Sequence, residues 1–127
     1  MFAAWKNDDP QVLQCLIEAG GDVDVRDHAG WTPLLCAARH NRTPRVTALL
    51  IEATNDVNAR HEGDWTPLMV AAKYNTPDVL RLLLGGGGDA KARNAGGRRA
   101  LDYAEKNELI AGTPEHWMLS EATFRKE

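Results

Sequence analysis

The apolar positions of the chain come in short helical bursts. Val12, Leu13 and Leu16 form one, Val46, Leu49 and Leu50 a second, and Val79, Leu82 and Leu83 a third. Each set is spaced to lie on one face of a helix. Each follows a start signal of a small polar residue and a proline: Asp9-Pro10, Thr43-Pro44 and Thr76-Pro77. A second kind of apolar segment opens at Thr32-Pro33 and Thr66-Pro67 and reads TPLLCAARH and TPLMVAAKY. Threonine accepts a bond from an orphan N–H as N-cap, and proline at the first helical position forfeits no hydrogen bond. The pairs Ala37-Ala38 and Ala71-Ala72 let a neighbouring helix come close. Gly20 and Gly87 stand where a left-handed residue would end the second helix, and Thr54 is a weaker stop at the same place. The tracts DVDVR, DVNAR and DAKAR then lead through a turn to the next start. The pattern predicts helix, loop, helix and a hairpin-like excursion, over and over.

Pro10, Pro44 and Pro77 set the period at 34 and then 33 residues, with the extra residue near Arg42. Four units are expected, 1–26, 27–60, 61–93 and 94–127. One unit cannot bury the apolar faces of both its helices, so the units must stack. The period and the TPL…AA and DVNAR segments resemble ankyrin repeats, whose signature is T-P-L-H-x-A at a period of 33. The resemblance covers nearly the whole chain and implies an all-α ankyrin-repeat solenoid of paired helices with hairpin-like loops. There are departures. Leu35, Met69 and Asp102 replace the family histidine, which removes its bond and is expected to loosen the Thr-Pro turn. The fourth unit reads RRAL for WTPL, a degraded cap. Gly30 and Gly97 hold the hairpin glycine position, but Asp64 takes it in the third unit, where Gly63 is expected to absorb the bend.

The ends differ from the middle. The first unit is abbreviated, either as an N-terminal cap or because the chain begins inside a longer array. In the fourth, Leu101, Tyr103, Ala104 and Leu109 predict a helix longer than usual. Thr113-Pro114 then starts a last helix with Trp117 and Leu119 as inward candidates. This end reads as a C-terminal cap, with the natural C-terminus expected to be present.

Composition changes this picture little. The 127 residues carry a formal net charge of −3, with 43% hydrophobic and 26% charged residues, as in a folded domain. The acidic balance speaks against a general phosphate-backbone binder. No apolar run approaches a membrane span, and the N-terminus is not a secretory signal, so the default expectation is a cytoplasmic protein. Cys15 and Cys36 form no CxxC and are expected as buried thiols. His28, His40, His61 and His116 lack ligand spacing and read as ordinary surface or hydrogen-bonded residues. Cys36 and His40 are four apart, but no third orienting group is evident and Cys36 shares its phase with the apolar Val70. The run Gly85–Gly88 lacks the Lys-Ser/Thr of a phosphate loop and reads as a helix stop. No catalytic residue, cofactor or metal is expected.

What remains is recognition. Arg26, Arg60 and Arg93 share one phase, as do Arg39, Lys73 and Lys106; solvated ladders, or pairing to the repeated Asp22, Asp56 and Asp89, is the expectation, with an acidic protein partner as the alternative. Trp31 and Trp65 share the phase just before threonine. They are expected to pack on neighbouring units or to serve an interface, where tryptophan is enriched. The resemblance implies a protein–protein interaction module working without catalysis, with contact residues at the family's variable positions. In the hairpins these are Arg26, His28, Trp31, Arg60, Glu62, Trp65 and Arg98. On the inner helices they are Trp5, Arg39, His40, Lys73, Tyr74 and Lys106. The expected partner is another protein, met by a monomer, with no nucleic acid or membrane. The alternative is a regulatory or scaffold segment of a larger polypeptide whose activity lies elsewhere.

Overall fold

The computed structural model describes residues 30–40, 44–54 and 56–125, apart from the side chain of His40. The expectations for Trp5, Arg26, His28, Gly20 and the helix after Pro10 lie outside the described residues. Within them run α1 (Pro33–His40), α2 (Pro44–Ala53), α3 (Pro67–Tyr74), α4 (Pro77–Gly85), α5 (Ala100–Ala104) and α6 (Pro114–Phe124). Helices α1, α3 and α5 pack side by side as one layer; α2, α4 and α6 form a second. The layers touch through the pairs α1–α2, α3–α4 and α5–α6. The core lies between them: all-α, paired and stacked, as the repeat pattern demands.

The start signals work as their chemistry implies. Leu35 N–H donates to Thr32 Oγ1 and Met69 N–H to Thr66 Oγ1, both at 3.3 Å. Thr32 and Thr66 are buried, so these caps satisfy amides that water cannot reach. The side chains of Leu35 and Met69, where the family histidine would stand, are each 0% exposed. Apolar burial occupies this position, and both threonine caps are made without the histidine. Ala37, Ala38, Ala71, Ala72 and Ala104 are buried as well, and their lack of bulk brings α1, α3 and α5 together.

Helix α4 ends as its glycines predict. Gly87 is left-handed at φ 105, Gly88 N–H reaches Leu83 O at 2.8 Å, and Gly87 N–H reaches Leu84 O at 3.4 Å. This pair of bonds satisfies carbonyls the helix leaves over. A side chain on Gly88 would meet Leu83 O at 2.8 Å. The buried stripe of the second layer differs from the expected one. Leu80 and Thr47 join Val79, Leu83, Val46 and Leu50 in the core, whereas Leu82 and Leu49 are half-buried. Helix α4 touches α2 and α6 on its two flanks as well as its own partner α3, so its inward face is centred one position away from the even leucine spacing.

The last pair departs further. Helix α5 spans only five residues, not the extended helix expected. Arg99 offers no acceptor at its start; instead Asp102 Oδ2 accepts from Arg99 N–H at 2.8 Å. Beyond Ala104 the chain turns, and Asn107 Nδ2 donates to Ala72 O and Asn75 O, both at 3.0 Å. That anchorage onto α3 ends the helix. It puts Ile110 inside at 0% exposure and leaves Leu109 outside at 49%. Thr113 caps α6, and Leu119 is buried as expected. Trp117 is not inward: it is 63% exposed, because Leu119, Ala122 and Thr123 define the inner face.

Candidate binding surface

The surface begins with the hairpins. His61 N–H donates to Trp65 O at 3.2 Å, and Asn94 N–H to Arg98 O at 2.9 Å, so each excursion closes on itself. Gly30, Asp64 and Gly97 all take left-handed backbone at the same position, with φ 85, 63 and 76. Asp64 therefore keeps the bend itself; Gly63, at φ 89, adds a second left-handed residue instead of replacing it. Aspartate tolerates this region better than most residues. Ala95 N–H donates to Gly63 O at 2.9 Å, tying one hairpin to the next.

The arginine ladder belongs to this framework. Arg60 Nη1 donates to Arg93 O at 2.9 Å across one repeat, and Arg93 Nη1 donates to Gly97 O at 2.9 Å. Pairing with Asp56 and Asp89 is not what the structure has. Those carboxylates accept from Asn58 N–H and Lys91 N–H, both at 2.9 Å, and shape the turns that follow. Arg60 finds a backbone carbonyl of the next hairpin within reach of its guanidinium, whereas Arg93 finds one four residues on in its own hairpin.

Along the bases of the hairpins the rings form a row. Trp31 and His61 stack with centroids 4.2 Å apart, His61 and Trp65 lie 6.3 Å apart and nearly parallel, and Trp65 meets Tyr103 at 4.5 Å. His61 Nδ1 is 2.6 Å from Glu62 O. A carbonyl can only accept, so Nδ1 carries the proton. Tyr103 OH is fixed by Asn94 Nδ2 at 2.7 Å, and Asn94 Oδ1 accepts from Gly96 and Arg98 N–H. Trp31 and Trp65 also rest on the core and remain half-buried. One side of each ring thus packs on the protein while the rest stays accessible.

The first-helix layer adds cations. Arg39 Cζ lies 4.0 Å from the centre of the Tyr74 ring. Lys73 Nζ lies 5.4, 5.2 and 5.7 Å from the rings of Trp65, Tyr74 and Tyr103. Burial acts to raise the pKa of the Tyr74 phenol, but hydrogen bonding to Arg39 and Lys73 and their positive charge outweigh it and hold it below the ordinary 10.0. Trp31, Arg39, His61, Trp65, Val70 and Tyr74 enclose a shallow cleft of about 110 Å³.

Five of the sequence candidates, Trp31, Arg39, Trp65, Lys73 and Tyr74, thus meet in one place. Arg60 holds the framework, and Glu62 is exposed at the hairpin turn. Arg98 and Lys106 border a separate cleft of about 350 Å³ with Arg93, Arg99, Asp102 and Glu105. His61 and Tyr103 were not among the candidates. The signal for His61 was its phase: it follows Arg60 as Asn94 follows Arg93, at a residue that faces Trp31 of the preceding hairpin.

Little of this surface suggests reaction chemistry. Cys36 sits in the apolar core, in keeping with its phase with Val70. His116 Nδ1 accepts from Gly112 N–H at 3.0 Å. Among the described residues no group of three His, Cys, Asp or Glu could hold a metal ion. Nor is any helix among them long and apolar enough to cross a membrane. No curated protein matches the chain. A family model for ankyrin repeats, in three copies, matches residues 1–94 and 46–111. With its paired helices stacked in two layers and its threonine-capped starts, the chain belongs to the ankyrin repeat family, a non-catalytic scaffold that generally mediates protein–protein interaction.

Proposed function

We propose that this protein binds a partner protein on the face formed by the hairpin bases and the first-helix layer, within a domain of four units, 1–26, 27–60, 61–93 and 94–127. The observation that carries the reading is the unbroken row Trp31, His61, Trp65 and Tyr103 beside Arg39, Lys73 and Tyr74. Half-buried tryptophans are rigid anchors that lose little side-chain freedom on binding, and such residues dominate interface energetics. Stacking against neighbours holds the rings in position before a partner arrives, which lowers the cost of ordering them.

The test is affinity capture with the intact chain beside Trp31→Ala, Trp65→Ala and Tyr74→Ala, each checked for a cooperative thermal transition. Loss of captured partner in folded variants, by about tenfold or more for either tryptophan, supports the reading. A partner that still binds all three folded variants at full affinity removes this face from consideration.

A further inference from the structure

The cations of the surface are held by rings, with no carboxylate paired to them among the described residues. Arg39 and Lys73 contact Tyr74, Trp65 and Tyr103, and neither makes an ion pair among the described residues. Lys73 is exposed and Arg39 half-buried. Ring contact positions each charge without neutralising it, because an aromatic face offers a quadrupole and no countercharge. The Tyr74 phenol senses the result: its anionic form is favoured by the same two residues. Any anion brought to this point meets the same positive field.

The chain as a whole carries a formal net charge of −3, so the field is local. A long polyanion would gain at Lys73 and Arg39 and be repelled over the rest of the molecule. A short segment bearing a few carboxylates gains the first term and avoids most of the second. Next to the cations, the cleft between Trp31 and Tyr74, about 110 Å³ and floored by Val70, has room for a single aliphatic side chain. Charge and shape together specify carboxylate beside hydrocarbon.

Resting on the docking face proposed above, we infer that its occupant is an acidic segment of a partner protein. A glutamate or aspartate pairs with Lys73 and Arg39 while a neighbouring leucine-like side chain enters the cleft.

Intrinsic tryptophan fluorescence of the full chain, titrated with a short acetylated peptide of alternating glutamate and leucine, tests this. Parallel titrations use the glutamine–leucine counterpart and an oligothymidylate. The glutamate peptide is expected to bind about tenfold or more tightly than the glutamine peptide, since charge-assisted bonds are roughly twice as strong as neutral ones. Lys73→Gln and Arg39→Gln should each weaken it by about three- to tenfold without lowering the melting temperature, and added salt should weaken it further. Equal binding of the two peptides, no binding of the glutamate peptide, or tighter binding of oligothymidylate would overturn the inference. Equal binding of both peptides that is lost in Trp65→Ala would still leave the docking face standing, so the two proposals fail separately.

Discussion

Helices α3 and α5 occupy equivalent places in the first layer, yet their local chemistry differs almost throughout. Helix α3 starts with a buried threonine cap and a proline, runs eight residues, and fills the family histidine position with Met69. Helix α5 starts with Arg99, runs five residues, and has Asp102 at that position, bonded back to the Arg99 amide. The α3 start is written locally, in four consecutive residues. The α5 region is held by pieces far apart in the chain: Asn107 on the end of α3, Tyr103 on Asn94, and Ile110 as an apolar plug. Equal packing can thus be reached with a strong local signal or with a weak one and several long-range ties.

The comparison breaks most easily at the plugs. If Ile110 serves the end as Met69 serves the middle, Met69→Ala and Ile110→Ala should each cost about 3 kcal/mol in urea unfolding. A loss below about 1 kcal/mol for Ile110→Ala would show that the turns around it adapt, and that the end does not lean on it. The starts come next. Thr66→Ala should cost about 1 kcal/mol and Asp102→Ala about half of that, because Thr66 is fully buried and Asp102 is not. A larger loss at Asp102, seen as a lower melting temperature, would reverse the ranking of the two caps.

The hairpins sharpen the contrast in the opposite direction. Asp64→Gly should stabilise the chain by about 0.5 kcal/mol, since glycine takes the left-handed backbone without a Cβ penalty. Gly97→Ala should cost about 1 kcal/mol for the same reason. Matching chemical denaturation curves for both variants and the parent would contradict a shared left-handed requirement. The smallest effect is a titration. The chain has two tyrosines, so Tyr103→Phe leaves Tyr74 as the one phenol to follow by ultraviolet absorbance. Its midpoint should lie below 10.0 and rise when Lys73→Gln is added. Because the folded pKa is the lower one, this residue adds nothing to stability below its folded midpoint. Its contribution grows as pH rises and is complete above 10.0.

What the sequence made legible follows the same division. The threonine caps, the alanine pairs, the Gly87 stop and the start of α6 are instructions carried by neighbours in the chain, and each was readable. The fate of residues 105–113 was not. Leu101, Tyr103, Ala104 and Leu109 suit a helix as a string of letters, but the backbone there is governed by Asn107 bonding to carbonyls on another helix. Trp117 was misplaced because α6 has almost no one-sided apolar bias: tryptophan, methionine and leucine follow one another, and only packing decides which turns inward. On the surface, phase placed Trp31, Arg39, Trp65, Lys73 and Tyr74 together. His61 and Tyr103 were missed because a lone histidine in a turn and a tyrosine in a helix acquire meaning only when successive repeats are laid side by side.

The amide of Asn75 donates to Ala38 O and that of Asn107 to Ala72 O, while Asn58 reaches forward to Gly87 O and Arg60 to Arg93 O. The junction between residues 27–60 and 61–93 is therefore stitched from both of its sides, by side chains that reach across to the adjoining backbone, and Asn107 ties the last unit back onto the third. Fraying that starts at the outermost helix must undo one seam before the next is exposed, so disorder travels inward stepwise. The ring row is built across those same seams, which makes the integrity of the stack a condition for its alignment.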